Sequence, residues 1–99
     1  AAPELCGVEF APAGDSRIAI GRGGSLVCWF RSGAETFGAT DVSLDVSGEI
    51  RQSHTISSLG EGVWQANLLL DEAIQEGKPV RLRLGSGLWS EALPVRQKT

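Results

Sequence analysis

An alternation of apolar and polar residues with a period of two runs through most of this chain and constrains its fold more than any other feature. Val42, Leu44 and Val46 alternate strictly with Ser43 and Asp45. Such alternation predicts a β-strand with one face buried and the other in solvent. Segments of this kind recur at a spacing of roughly ten residues, separated by Gly- or Pro-containing turns, as in all-β domains. The pattern therefore predicts an all-β chain.

The predicted strands follow one another along the whole sequence. They cover 6–10, 26–30, 42–46, 50–56, 64–70, 80–84 and 89–95, with a further short piece at Ile18 and Ile20. Asp71 to Gly77 is the one stretch with a helical pattern, since acidic residues open it and Gly77 closes it. The length of 99 residues suits one domain over residues 1–99. Short strands at this spacing predict an antiparallel sandwich or barrel, and the acid-rich helix-like turn before a final hairpin favours the sandwich.

Charge and hydropathy argue against two classes of partner. The net charge is −3, and the nine cations are spread from Arg17 to Lys98 without a basic run. A nucleic-acid-binding protein usually carries a clustered basic patch, so we expect no nucleic-acid partner. No apolar stretch approaches the roughly 20 residues that a membrane-spanning helix needs, so we expect no membrane insertion. The start at Ala1-Ala2-Pro3 suggests a domain excised from a longer protein.

Two cysteines allow one intramolecular pair, Cys6 with Cys28. A disulfide between them would stabilise the fold by roughly 3 kcal/mol in the chain-entropy estimate. The alternative is a pair of buried free thiols, which are common in cores. Both alternatives stay open at this point. No further Cys or His stands at metal-ligand spacing, so neither a metal site nor a cofactor is predicted.

Catalytic chemistry finds little support in the residues. His54 is the only histidine, and its place within a predicted strand favours a structural or surface role over that of a general base. The acidic Asp71, Glu72 and Glu76 lack the alternate spacing of a calcium loop and are predicted to be a solvated first turn. The glycine-rich segment 21–24 lacks the Lys-Ser/Thr of a phosphate-binding loop and is predicted to be a turn.

Tryptophan and arginine supply the candidate binding residues. Trp64 shares a face with apolar residues and is predicted to lie in the core. Trp29 opposes the apolar face of its strand, and Trp89 is predicted to lie on the face of the last strand that carries Leu93 and Val95. Exposed Trp side chains stack on sugars and anchor protein interfaces. The candidate binding residues, which include two arginines expected to project together from one strand face, are Trp29, Trp89, Arg81 and Arg83.

Three segments near the end of the chain carry a Gln-x-Asn strand, a Gly before the next strand, and a Gly-containing hairpin followed by Ser. They are Gly62-Val63-Trp64-Gln65-Ala66-Asn67-Leu68, Gly77-Lys78-Pro79-Val80-Arg81-Leu82, and Gly85-Ser86-Gly87 with Trp89-Ser90. These segments resemble the ending of bacterial immunoglobulin-like domains of the TIG (IPT) type, and 26–30 and 42–46 resemble their middle strands. The resemblance implies an immunoglobulin-like antiparallel β-sandwich of seven to eight strands. It also implies an accessory module of a larger bacterial protein, extracellular or at the cell surface, while a cytoplasmic location stays open.

Three functions compete at this level. The first is a non-catalytic spacer or protein-interaction module, whose partner is a neighbouring domain of the parent protein or another protein. The second is a carbohydrate-binding module that uses an exposed Trp, with Gln65, Asn67 or Arg81 near the sugar hydroxyls. The third is a small enzyme, which would need His54 beside an acid or a nucleophile in a pocket. The sequence favours them in that order.

Overall fold

A computed structural model describes residues 2–13, 22–33 and 37–98 of the chain. Within these residues nine strands form two sheets. The strands are β1 (Glu4–Ala11), β2 (Gly24–Arg31), β3 (Val42–Val46), β4 (Glu49–Gln52), β5 (Thr55–Gly60), β6 (Val63–Leu70), β7 (Pro79–Leu84), β8 (Leu93–Pro94) and β9 (Arg96–Gln97), with a 3₁₀ turn at Ala39–Asp41 before β3. The first sheet has the order β5-β6-β2-β1-β9 and the second the order β4-β3-β7-β8.

The strand order is that of an immunoglobulin-like sandwich, which confirms the expected fold class. In a constant-type immunoglobulin domain one sheet is ordered A-B-E-D along its strands and the other C-F-G. Here β1, β2, β6 and β5 take the places of A, B, E and D, while β3, β7 and β8 take those of C, F and G, and β4 adds a strand beside β3. The described strands exceed the expected seven or eight because two predicted segments, 50–56 and 89–95, are each replaced by two strands. Their pairing is antiparallel except that β9 runs parallel to β1.

The core lies between the two sheets and is built from the inward residues of both. Alternation points Leu26, Cys28 and Phe30 of β2 inward, as expected, and β2 lies between β1 and β6 as a central strand. The buried apolar side chains are Leu5, Val8, Phe10, Leu26, Cys28, Phe30, Val42, Leu44, Ala66, Leu68, Leu70, Val80, Leu82 and Val95. Trp64 packs against them through Phe37, with ring centroids 4.3 Å apart, so its predicted core role is confirmed.

The predicted strand from Ile50 to Ile56 is wrong as a single element. It is divided into β4, which pairs with β3, and β5, which pairs with β6 in the other sheet. Ser53 holds the crossing point, because its N–H donates to the Val42 carbonyl at 3.0 Å and its hydroxyl donates to the Ala39 carbonyl at 2.9 Å. Both strands lie at sheet edges, as the polar residues of this segment indicated.

The C-terminal part differs from expectation in three places. Residues 71–78 form bends and turns instead of a helix, since a stretch this short gains too little from helical hydrogen bonds to outweigh the cost of nucleation. The predicted final strand 89–95 is replaced by β8 and β9, which lie in different sheets and flank the buried Val95. Trp89 belongs to neither strand. The turns expected around Gly48 and Gly62 are present. Residues 85–87 form a turn but not the expected tight hairpin, since eight residues separate β7 from β8, and Ile18 and Ile20 lie outside the described residues.

The described residues contain no helix long and apolar enough to cross a membrane.

Candidate functional site

The outer face of the second sheet brings together most of the predicted binding residues. Val80 and Leu82 of β7 point into the core, so alternation directs Arg81 and Arg83 outward, as expected. The register of β3 against β7 places Asp45 directly opposite Arg81 and Ser43 opposite Arg83. Two arginines and one aspartate thus share a single solvent-facing surface.

Arg81 and Asp45 form an ion pair across the two strands. Both Nε, at 3.1 Å, and Nη2 of Arg81 donate to Oδ2 of Asp45. The other carboxylate oxygen accepts a hydrogen bond from the Gly48 N–H at 2.8 Å, and the Asp45 side chain is only 13% exposed. The hydrogen bond from Arg81 is the main cause that holds the pKa of Asp45 below its usual value, and the Gly48 N–H adds to the effect. Asp45 therefore fixes the position of the Arg81 guanidinium.

Trp89 lies against both arginines. The Cζ atoms of Arg81 and Arg83 are 4.9 Å and 4.6 Å from its ring centroid, within the range of cation–π attraction. The next residue explains this placement. Ser90 is buried beside β7, where its N–H donates to the Leu82 carbonyl at 2.8 Å and its hydroxyl accepts from the Leu82 N–H at 3.0 Å. Because these hydrogen bonds hold Ser90 beside the middle of β7, its neighbour Trp89 lies next to the outward-facing side chains of Arg81 and Arg83.

Arg83 differs from Arg81 in having no acidic partner in the described part of the chain. Its Nε is buried and makes no hydrogen bond there, although a buried guanidinium N–H usually finds an acceptor. Since Asp45 neutralises Arg81, the cluster of Asp45, Arg81, Arg83 and Trp89 carries the net positive charge of Arg83. The chain as a whole has a net charge of −3, so this patch is opposite in sign to the rest of the molecule.

Two exposed apolar side chains border the cluster. Ile50 of β4 stands opposite Asp45 and is 58% exposed, while Leu88, directly before Trp89, is 71% exposed. We name the surface formed by Asp45, Ile50, Arg81, Arg83, Leu88 and Trp89 the Trp89 face. Sequence reasoning missed Asp45, Ile50 and Leu88 as members. The alternation in 42–46 placed Asp45 on the outer side of its strand, but no pattern showed which strand lies next to it.

Trp29 lies on the opposite side of the molecule, on the outer face of the first sheet. Its ring covers Gly7, where an added Cβ would lie 3.4 Å from Cε3 of the indole. Its Nε1–H donates to the Gln65 side-chain oxygen at 3.1 Å, and the ring is half-buried. The structure therefore does not bring Trp29 and Trp89 into one site, and Gln65 is already paired with an indole.

Cys6 and Cys28 are both free thiols, which decides between the alternatives left open above. The register of β1 against β2 shifts between Leu5 and Gly7, and this bulge turns Cys6 outward. Cys28 points into the core opposite Val8, and burial raises the pKa of its thiol to about 12. The two sulfurs therefore lie on opposite faces of the sheet, so the proposed disulfide is wrong, and only one of the two thiols is buried.

His54 takes part in the sheet structure through its ring. Its Nδ1 accepts a hydrogen bond from the Leu69 N–H at 3.0 Å, next to the bond from its own N–H to the Asn67 carbonyl at 2.8 Å. The imidazole thus takes the place of a backbone carbonyl where β5 begins. Glu76 accepts the Gln97 N–H at 3.3 Å. No group of three His, Cys, Asp or Glu side chains suited to a metal ion occurs among the described residues.

Comparison with known proteins found no matching family model, no similar curated protein and no similar solved structure. The resemblance to TIG-type domains therefore stays a prediction.

Proposed function

We propose that this chain is a non-catalytic protein-interaction module that binds its partner through the Trp89 face. The observation that carries the proposal is the packing of Trp89 against two arginines, of which Asp45 neutralises one and leaves the other without an acidic partner in the described residues. Trp and Arg are the residues most enriched among those that dominate binding energy at protein interfaces.

The rigidity of the cluster supports this role. Asp45 holds Arg81, Ser90 holds the backbone beside Trp89, and the indole stacks on Arg83. Side chains that are already ordered lose little conformational entropy on binding, and this loss otherwise costs about 0.5–1.5 kcal/mol for each flexible side chain. The side chains of this surface are therefore preorganised for binding.

The composition of the face specifies the chemistry of the partner. Arg83 offers a planar guanidinium suited to a carboxylate, and it has no acidic partner in the described part of the chain. Leu88 and Ile50 offer apolar contact beside it. We therefore propose a partner surface, on a neighbouring domain or another protein, that carries an acidic side chain next to apolar ones.

The same geometry favours a protein partner over a carbohydrate. A sugar-binding Trp stacks its ring on the sugar, whereas the ring of Trp89 already contacts the guanidinium groups of Arg81 and Arg83. The indole N–H of Trp29 donates a hydrogen bond to Gln65, and the ring of Trp29 is half-buried on the first sheet. The resemblance to TIG-type domains supports a setting within a larger bacterial surface protein.

Site-specific photo-crosslinking tests the proposal. A photoreactive phenylalanine analogue replaces Leu88 on the Trp89 face or, as a control outside both β5 and the Trp89 face, Ala73, which is exposed in the segment after β6. In an extract of the source cells we expect a discrete protein adduct at position 88 and not at 73, which excess unlabelled domain competes away. Arg83→Glu should abolish the adduct, whereas Arg51→Glu on β4 should leave it.

Titration of the domain with a panel of polysaccharides separates the remaining functions. Tryptophan fluorescence that stays unchanged, together with the adduct at position 88, supports the interaction module. A saturable change that Trp29→Ala abolishes would transfer the assignment to a carbohydrate-binding module. If neither adduct nor fluorescence change occurs, the interaction proposal fails and a spacer is left.

A further inference from the structure

The outer edge of the first sheet is formed by β5, and no strand of the described residues pairs with its far side. An edge strand directs alternate backbone N–H and C=O groups away from its one neighbour, and these groups can pair with another chain. Five of the six residues in β5 are exposed, and the strand is longer than the other edge strands of the described structure.

The composition of β5 gives this edge little protection against pairing with another strand. The segment 55–60 reads Thr-Ile-Ser-Ser-Leu-Gly and contains neither a charged residue nor a proline. Edge strands are usually blocked by charges, prolines or short length. The edge strand β4 carries an ion pair between Glu49 and Arg51, with N and O 3.0 Å apart, while β8 and β9 are two residues long and β8 includes Pro94. β5 is protected by a bulge between Ser58 and Gly60 and by none of the other devices.

We propose that β5 is a self-association edge, at which a second copy of this chain adds its own β5 in antiparallel orientation and extends the first sheet across a two-fold axis. This surface is distinct from the Trp89 face, which lies on the second sheet. It goes beyond the proposed function and does not rest on it.

The absence of charge in 55–60 argues for a second copy as the occupant. Two-fold pairing sets a segment against itself, so any charge near the axis would stand close to an identical charge. β5 avoids this repulsion although the whole chain has a net charge of −3. An acidic or basic strand from another protein would find no complementary charge on β5.

The geometry of antiparallel pairing also fixes the register. In antiparallel pairing, two residues that stand directly opposite each other lie on the same face of the sheet. Because neighbouring residues of one strand lie on different faces, the two-fold axis must pass between one residue and the same residue of the second copy. An axis at Ser57 keeps the pairing centred on β5 and sets Ile56 opposite Ser58 of the second copy, while the bulge at Leu59 ends the regular pairing. Leu59 is 54% exposed, and a neighbouring strand would cover part of its surface. The interface is small, so we expect a weak dimer whose population depends on concentration.

Sedimentation equilibrium over a concentration series up to the millimolar range tests the proposal. The native chain should show a monomer–dimer equilibrium. Ser57→Lys places two ammonium groups opposite each other and should raise the dissociation constant by about fivefold or more. Ser86→Lys adds the same charge at an exposed turn after β7 and should leave the constant unchanged.

Backbone amide resonances supply a second readout that does not depend on a substitution. The amides of 55–60 should shift with concentration in the native chain, and those of β4 should not. A monomer at every concentration would overturn the proposal. So would a dimer that Ser57→Lys leaves intact, or concentration-dependent shifts confined to the Trp89 face, since either would place the interface elsewhere.

Discussion

The two cysteines should differ in alkylation rate by about three orders of magnitude in the folded protein. The experiment treats the native chain with iodoacetamide at pH 8 and follows each thiol by peptide mass mapping. Cys6 is exposed at the bulge of β1, whereas Cys28 has no solvent-exposed surface. The thiolate is the nucleophile in this reaction, so both its population and its accessibility set the rate.

The magnitude follows from burial. The pKa of Cys28 is raised from 9.0 to about 12, which lowers the thiolate population at pH 8 by about a thousandfold. Reaction through the unfolded state avoids that penalty but requires unfolding, which for a domain costs about 5–15 kcal/mol and so slows the reaction by more than about a thousandfold. Both routes therefore leave Cys28 unmodified while Cys6 reacts at the rate of an exposed thiol.

Controls make the result decisive. The native chain should gain one adduct, at Cys6, and the chain in denaturant without reductant should gain two. The variant Cys6→Ser should lose the fast reaction completely. Two results would refute the reasoning: an unfolded, unreduced chain that gains no adduct would contain the disulfide, and equal rates for both thiols in the native chain would mean that Cys28 is not buried.

Three further predictions concern stability. Gly24→Ala should lower the free energy of unfolding by about 2–4 kcal/mol in urea titrations, because φ is +125° and an added Cβ would lie 2.5 Å from the Ala11 carbonyl oxygen; an unchanged midpoint would contradict this. Ser47→Asn should stabilise the chain by about 0.5 kcal/mol in the same assay, since φ is +53° at this first position of a two-residue hairpin turn and Asn tolerates that conformation better. Asp45→Asn should destabilise by no more than about 1 kcal/mol at pH 7, because Arg81 is 42% exposed. Folding lowers the pKa of Asp45, so its carboxylate contributes fully to the free energy of unfolding above about pH 3.9, the pKa of an unfolded Asp. This contribution is lost as the pH falls through the lower pKa of the folded state. Thermal melts of the native chain and Asp45→Asn should therefore converge only in acid.

The alternation of apolar and polar residues was sufficient to predict a strand and its inward residues where one face of that strand is buried. β3 and β7 were predicted with their inward residues correct, because a slip by one residue would expose Leu44 or Leu82. The same rule failed for Ile50 to Ile56, since a strand that changes sheets at Ser53 keeps an unbroken alternation. Alternation predicts which residues are buried, but it does not predict to which sheet their strand belongs.

The candidate site shows the same division between local and long-range information. The outward pairing of Arg81 with Arg83 follows from two residues on one strand, and it was predicted. Their contacts with Asp45 and Trp89 depend on the register of β3 and on the hydrogen bonds of Ser90 to β7, and Asp45 is 36 residues from Arg81 in the chain. Contacts set by strand register or by the placement of a loop have no period in the sequence, so Arg81, Arg83 and Trp89 were predicted as binding residues while Asp45 and the arrangement of the four were not.

The two proposed surfaces lie in different sheets, and this makes them separable by experiment. β5 belongs to the first sheet, while the Trp89 face covers the outside of the second. Pairing through β5 would leave the Trp89 face of each copy open, so a dimer would present two binding faces to a partner that carries two sites and would bind it more tightly than one copy does. Ser57→Lys should then weaken binding to a bivalent partner while leaving the adduct at position 88 intact, and Arg83→Glu should remove that adduct while leaving the dimer. A variant that lost both activities and still folded would show that the two surfaces are one.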